Sequence, residues 1–350
     1  MQAAASAKGI RLRPHAKTHK SPELARMQIA RGAIGVCCAK LGEAEVFADA
    51  GIEDIRLPYP INPVNAGRVL QLLDKTRLSF IVDDLEVARG WSEKMRAAGR
   101  EVDVLVKVDV GFHRCGIDPT HKGAAESVAR VAELPGLRFR GLLSHAGHAY
   151  GAGSENEMAS IAAEEARTMK TLACDVERVG HRVEEISVGA TPPARFSLNQ
   201  PGITELRPGN YIYYDRTQVA LKAAAFADCA LTVLARVVST PAADRIILDS
   251  GSKTLSTDQA RGFGSTPGFG VVLAGLDSQD PDDSLLIERL SEEHATVRVL
   301  GAGCRLRTGD LVRVVPNHAC VVSNLVDSVW LVDDDTVLEE LRVAARGRIA

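Results

Sequence analysis

The first group that could do chemistry is a lysine set among histidines. The run Arg13-Pro14-His15-Ala16-Lys17-Thr18-His19-Lys20 closes a short apolar segment. A lysine at such a point, near other cations, can form a Schiff base with a carbonyl; the plain alternative is a basic surface turn. Further on, an apolar run at 104–109 leads into Val110-Gly111-Phe112-His113-Arg114-Cys115-Gly116. There Arg114 could meet an anionic oxygen or simply face solvent. The run Ser144-His145-Ala146-Gly147-His148-Ala149-Tyr150 brings two histidines and Tyr150 to one place, which is polar equipment for a pocket unless it is a single satisfied histidine. Gly189-Ala190-Thr191 and Arg207-Pro208-Gly209-Asn210-Tyr211 combine glycines with hydroxyl and amide groups. Such segments either build a phosphate site from backbone N–H groups or form ordinary turns. Finally, His318 and Cys320 stand two apart in Pro316-Asn317-His318-Ala319-Cys320. On an extended segment they point to the same side, and both groups are zinc ligands, although a buried cysteine is more often an inert small hydrophobe.

The elements that must position these residues follow from periodicity. Short apolar runs at 10–15, 33–38, 54–57, 78–82, 103–109, 139–144, 185–189 and 202–206 read as strands. Between most of them lie Ala- and Glu-rich segments with apolar residues three and four apart, as at 43–50, 85–98 and 155–179, which is helical spacing. Eight strands, each followed by a helix, predict a parallel sheet with right-handed crossovers, closed as a (β/α)8 barrel. In such a barrel the groups that do chemistry sit just after the strands, on one face. The pattern changes near Leu221. Runs at 231–238, 245–248, 296–300, 311–315, 321–322 and 328–332 follow one another with turns such as 249–251 and 301–303 between them, and predict a separate β-domain. The Gly-rich stretch 258–270 reads as a loop. The expected division is therefore a barrel over 1–220 and a C-terminal β-domain over 221–350.

Composition narrows the class of function. The 350 residues carry a formal net charge of −3 with scattered cations, which gives no general case for binding nucleic acid or an acidic membrane. No apolar run approaches the roughly 20 residues of a membrane span, and Lys8 interrupts any apolar leader. Seven cysteines, an odd number without regular spacing, argue against a disulfide framework and for the cytoplasm.

Taken together, the motifs resemble one family. Residues 13–20 look like the cofactor-lysine motif of D-threonine aldolases and D-serine dehydratases, which share the alanine-racemase-type fold of a pyridoxal-phosphate barrel followed by a β-domain. The likeness continues through 108–116, 144–150, 189–191, 204–211, 249–253, 291–294 and 316–327. It implies that Lys17 forms the Schiff base with pyridoxal phosphate and that Arg114 lies near the cofactor ring. It implies that Tyr150 lines the pocket, that Thr191, Gly209 and Asn210 hold the phosphate with Tyr211 close by, and that His318 and Cys320 bind a divalent metal. Aldolases of the family tend to carry His-x-Asp and dehydratases His-x-Cys, so Cys320 points to dehydration of a 3-hydroxy-D-amino acid and, by its softness, to zinc over manganese or magnesium. Aldol cleavage to glycine and an aldehyde is the alternative, and non-catalytic binding of pyridoxal phosphate a further one. Racemisation would need a second base on the opposite face, for which the sequence offers no candidate. His148, His294 and Lys253 are further candidates for shaping the pocket. A homodimer is expected. Relatives begin with a strand and most of a helix before the lysine motif, whereas here the first barrel strand starts about ten residues in.

Overall fold

The structure is a computed structural model and describes residues 1–301 and 305–350. Cys304 and most of the turn expected at 301–303 lie outside the described residues. The chain divides into two compact units. One comprises Met1–Ala149, Asn156–Gly209 and Gly347–Ala350; the other comprises Tyr150–Glu155 and Asn210–Arg346.

All eight expected strands of the first unit are present. They are β1 (Arg11–Leu12), β2 (Val36–Cys37), β3 (Asp54–Pro60), β4 (Arg77–Val82), β5 (Val102–Lys107), β6 (Leu137–Leu143), β7 (Glu185–Val188) and β8 (Glu205–Leu206). Their order is β1-β8-β7-β6-β5-β4-β3-β2. The remaining seam is closed by a parallel bridge from His15 to Cys37 and by the amide of Cys37 donating to the Pro14 carbonyl at 2.7 Å. The sheet is thus a parallel barrel. Strands covered on both faces read as continuous apolar runs, and every residue of β7 is buried, as are five of the six in β4. Helices form where the apolar spacing changes from two to three and four. The helix Leu85–Ala97 starts at Asp84, whose side chain accepts from the Val87 amide at 2.9 Å and satisfies one of the amides a helix start leaves open. The helix Glu155–Arg178 buries Met158, Ala162, Glu165, Ala166, Met169 and Leu172 along one face.

The second unit holds an antiparallel sheet of β9 (Val233–Ala242), β10 (Arg245–Leu248), β11 (Val271–Val272), β12 (Leu285–Leu290), β13 (Ala295–Val299) and β14 (Leu311–Val315), ordered β11-β14-β9-β10-β13-β12. Its core is Val237, Ile246, Leu248, Ile287, Val297 and Val314 with their neighbours. A separate hairpin pairs β15 (Ser328–Asp333) with β16 (Thr336–Arg342). The sequence reading misses β11, β12 and β16. In β12 the alternation breaks at a register shift between Ile287 and Arg289. In β16 all residues but Leu341 are exposed, so no buried face exists to write a period of two into the sequence.

One expectation is corrected here. The strand expected at 321–322 is a helical turn, Ala319–Ser323, with His318 as its N-cap. Two adjacent valines favour a strand in isolation, but a tertiary contact decides otherwise. The Ala319 amide donates to the buried Asp215 carboxylate at 2.9 Å, and the His318 carbonyl then accepts from Val321 and Val322.

Candidate active site

In the barrel unit the expected residues stand just after strands, at the end where a barrel carries its chemistry. Lys17 lies in the single 3-10 turn Ala16–Thr18, which follows β1. Its backbone amide donates to His15 Nδ1 at 3.4 Å, and its side chain is exposed with no hydrogen bond or ion pair among the described residues. Gly209 follows β8 and packs on this turn. A Cβ there would meet Thr18 Oγ1 at 2.9 Å and His15 Cβ at 3.1 Å, so glycine is required by close approach. Thr191 follows β7. It is 4% exposed, and its hydroxyl has no hydrogen-bond partner among the described residues. Arg114 follows β5 and stacks over the Phe112 ring at 5.0 Å.

Sequence reasoning named His145 without a role, and the structure gives it a definite place. Its Nδ1 lies 2.5 Å from the Gly189 carbonyl, and its ring meets Phe112 edge-on at 5.5 Å. The loop that carries it is fixed by Glu165, which accepts from Ser144 Oγ at 2.6 Å and from the Ala146 amide at 3.1 Å. Burial and the charges of Lys107, Lys17 and Arg114 outweigh its bond to Gly189 and pull its imidazole down to about 3. His15 is likewise held neutral by burial and by Lys17, Arg207 and His145. Burial and Arg207 press the Lys107 amine down to about 7. Lys17, Arg114 and Arg207 are the cations that act on these groups, and cations at this end suit a phosphorylated anion.

Beneath it lies an ion network that sequence reading did not anticipate. Glu205 accepts from Arg13 Nε at 2.9 Å and Arg56 Nη1 at 2.6 Å, and Arg56 also donates to Glu185 at 2.8 Å. Ser187 donates to Glu205 and accepts from Arg207 Nη1 at 2.5 Å; Arg207 Nη2 reaches the Ser144 carbonyl at 2.5 Å. The available signal was a glutamate inside each of two otherwise apolar strand runs.

The second unit holds the remaining candidates. His318 Nδ1 lies 2.7 Å from Asp258 Oδ2, and Asn210 Nδ2 donates to Cys320 Sγ at 3.4 Å and to Asp215 Oδ2 at 2.6 Å. Burial lowers the His318 imidazole, but its hydrogen bonds to Cys320 and Asp258 outweigh that and raise it to about 9. His318 and Cys320 are brought together by the start of a helix between them, not by the extended segment expected. Tyr150 receives Gln218 Nε2 at 3.3 Å on its hydroxyl, and burial pushes the phenol up. Tyr211 follows Asn210 in the turn Asn210–Ile212. Asp258 and Asp215 went unnoticed because an aspartate in a loop or before a helix carries no special signal. Lys253 is no pocket group here. It is exposed and paired with Glu292 and Glu293 at 2.8 Å each, and His294 is exposed beside them.

The residues fit both groups that the resemblance implies. For the cofactor, the buried Thr191 hydroxyl, without a hydrogen-bond partner among the described residues, is a donor that a phosphate oxygen would satisfy. For the metal, an imidazole and a thiol form a zinc-type donor pair. A carboxylate on the far ring nitrogen fixes which nitrogen faces the ion. Among the described residues no third Asp, Glu, His or Cys completes a set of three.

A parallel barrel followed by an antiparallel β unit, with a lysine after β1, defines an alanine-racemase-type fold. Residues 1–217 match the alanine racemase N-terminal domain, and residues 230–332 match the family described as "Putative serine dehydratase domain". The chain belongs to the family that joins these two, the D-serine dehydratase and D-threonine aldolase family, whose members depend on pyridoxal phosphate, and it is an enzyme of the lyase class. It is 34% identical to D-threonine aldolase of Arthrobacter sp., over 99% of this chain and 88% of that one. It is 27% identical to D-serine dehydratase of Dictyostelium discoideum, over 96% and 89%. The solved D-threo-3-hydroxyaspartate dehydratase from Delftia sp. HT23 superposes with a TM-score of 0.91 at 28% identity, over 97% of this chain and 92% of that one. A D-threo-3-hydroxyaspartate dehydratase with a cysteine replaced by alanine has also been solved in a metal-free form. Among the described residues, no helix is long and apolar enough to cross a membrane.

Proposed function

We propose that the protein is a pyridoxal-phosphate- and metal-dependent lyase that dehydrates a 3-hydroxy-D-amino acid, such as D-serine, to a 2-oxo acid and ammonia. The observation that carries this reading is the thiol of Cys320 beside His318, with Asp258 behind the imidazole. When bound, pyridoxal phosphate supplies an electron sink for Cα, and a divalent ion, zinc by its preference for thiolate, supplies a Lewis acid for the 3-hydroxyl.

The chain's own residues divide the remaining work. Lys17 would hold the cofactor through Nζ, and the same Nζ is the group that would take the Cα proton. Arg114 would contact the cofactor ring. Thr191, Gly209 and Asn210 would hold its phosphate, with Tyr211 close by, and Tyr150 would line the substrate pocket. His318 and Cys320 would hold a divalent ion, which would supply Lewis-acid assistance to departure of the 3-hydroxyl as hydroxide. The enamine so formed takes up water and releases ammonia, so no further reactant is consumed. The reading places the enzyme in the cytoplasm, where its cysteines stay reduced, as a homodimer whose mass light scattering would report.

Product analysis tests the proposal. Given D-serine, D-threonine and 3-hydroxy-D-aspartate in turn, the enzyme with pyridoxal phosphate and zinc yields 2-oxo acid and ammonia. A chelator abolishes that turnover and added zinc restores it. Glycine with an aldehyde would establish the second reading, aldol cleavage, which the likeness to D-threonine aldolase favours. Cofactor bound without either product would leave a non-catalytic binder.

Thr191→Val tests the phosphate site separately. The hydroxyl it removes has no hydrogen-bond partner among the described residues, so stability should hardly change. Losing one hydrogen bond to a charged group, about 1.5–3 kcal/mol, should weaken cofactor binding by roughly tenfold or more, measured as the cofactor Kd by fluorescence titration. An unchanged Kd would remove Thr191 from the phosphate site.

A further inference from the structure

The two candidate metal ligands are held by different means. His318 is backed by Asp258, whose Oδ2 lies 2.7 Å from Nδ1. The backbone that carries both ligands is stitched to residues 215–217 by three bonds. The Arg216 amide donates to the Pro316 carbonyl at 3.0 Å. Thr217 Oγ1 donates to the Asn317 carbonyl at 2.9 Å, and the Ala319 amide donates to Asp215 Oδ2 at 2.9 Å. These bonds fix the course of the chain, but none of the three reaches the Cys320 sulfur.

A side chain 110 positions earlier does reach it. Asn210 Nδ2 donates to Cys320 Sγ at 3.4 Å and to Asp215 Oδ2 at 2.6 Å. Asn210 and Asp215 are both buried. Three N–H groups meet the Asp215 carboxylate, from Asn210, Ala319 and, on its other oxygen, Gln218 at 3.0 Å, so it acts as an acceptor alone. That decides which way round the Asn210 amide lies. One N–H is drawn to Asp215, and the second is left pointing at sulfur. The amide oxygen gains nothing from this orientation, for Asn210 Oδ1 is buried without a hydrogen-bond partner among the described residues. Both N–H bonds are spent in this way, so any hold that Asn210 has on a phosphate passes through its backbone.

A cysteine that binds a metal does so as a thiolate, which accepts hydrogen bonds and has no proton to give. A donor aimed at it from a fixed direction sets where the sulfur lies and how strongly it gives electrons to an ion. We propose that Asn210, turned by Asp215, is a positioning residue of the metal site: its amide N–H holds the Cys320 sulfur as a ligand and thereby sets the preference for a soft ion over a hard one. The inference rests on the lyase reading, which assigns His318 and Cys320 to a metal.

The test titrates chelator-treated, full-length protein with cobalt, cadmium and manganese ions and needs no turnover. Cobalt reports the sulfur directly, through its thiolate-to-metal charge-transfer absorption. Asn210→Leu removes both donors at similar size and leaves the three backbone stitches in place. Its cadmium affinity should fall by roughly tenfold or more, while manganese, which takes little from sulfur, should hardly change. Its cobalt band should move to lower energy, because a sulfur without that hydrogen bond gives up an electron more readily. Asp215→Asn is the second variant. Asparagine still caps the helix Arg216–Ala220, but an NH2 in place of Oδ2 turns the Asn210 oxygen toward sulfur, so the same shift is expected; should Asn210→Leu not fold, this variant decides. A cobalt band unmoved in energy, or cadmium and manganese weakened alike, would mark a residue that only holds the fold and would overturn the proposal alone. No charge-transfer band in the wild type would overturn the metal pair itself, and the proposal with it.

Discussion

Lys17→Ala yields a folded protein that no longer fixes pyridoxal phosphate covalently under borohydride. Its turnover falls by about 10²–10⁴-fold from loss of the proton-transfer group alone. Stability should survive, because the Lys17 side chain is exposed and makes no hydrogen bond or ion pair among the described residues. What it leaves behind, the turn Ala16–Thr18, is held by backbone contacts such as the His15 amide to the Pro208 carbonyl at 3.0 Å. Mass spectrometry after borohydride reduction reads the result directly. An adduct retained in Lys17→Ala would refute the assignment and move it to Lys107. That amine ends β5 at the same face of the barrel, and burial together with Arg207 holds it down near 7, where an appreciable fraction is unprotonated and nucleophilic. Repeating the reduction on Lys107→Met separates the two lysines.

The largest loss of stability is expected from Glu205→Gln. This carboxylate is fully buried and is met by Arg13, Arg56 and Ser187. Neutralising it leaves Arg56 with Glu185 alone and Arg13 with Asp54 alone, and breaking a buried ion pair from one side costs about 3–5 kcal/mol. Chemical denaturation followed by circular dichroism should show a loss of that size. Adding Arg56→Met should recover part of it, since the residues share one network. A loss below about 1 kcal/mol would mean that the network is a weak stabiliser. The pH dependence has a definite sign. Burial pushes the Glu205 carboxyl up, but Arg56, Arg13 and Arg207 outweigh it and hold it well below the usual carboxylate range. The unfolded chain then takes up the proton first as pH falls. The stabilisation from Glu205 is thus complete above about pH 5 and drains away as acid carries the pH below the ordinary carboxylate value towards the depressed one. Glu205→Gln should be correspondingly less sensitive to acid.

How much of this was legible beforehand differed between the two units. The barrel was legible because its strands are apolar on both faces and its helices are apolar on one. That contrast is written into local sequence, and all eight strands fell where expected, with shorter ends at β1, β2 and β8. The second unit was read less well. β12 carries a bulge, β16 has no buried face, and the turn at Ala319 is helical because the Asp215 carboxylate, 104 positions earlier in the chain, accepts its amide.

The candidate site divides the same way. Lys17, Arg114, Thr191 and Gly209 could be singled out because residues directly after barrel strands share one face, whatever the packing. Tyr150, Asn210, Tyr211, His318 and Cys320 could be singled out by type and by resemblance. The residues that set their properties could not. Asp258 behind His318, Glu165 behind the His145 loop and Glu205 beneath Arg207 are carboxylates whose partners lie far away in sequence. The amino-acid sequence alone determined the fold class and the family and singled out the candidate groups, since each is a matter of local periodicity or residue type. Tertiary structure alone decided which charges face one another and which hydroxyl is left without a partner among the described residues. Those are distances between segments remote in the chain, and no local pattern encodes them.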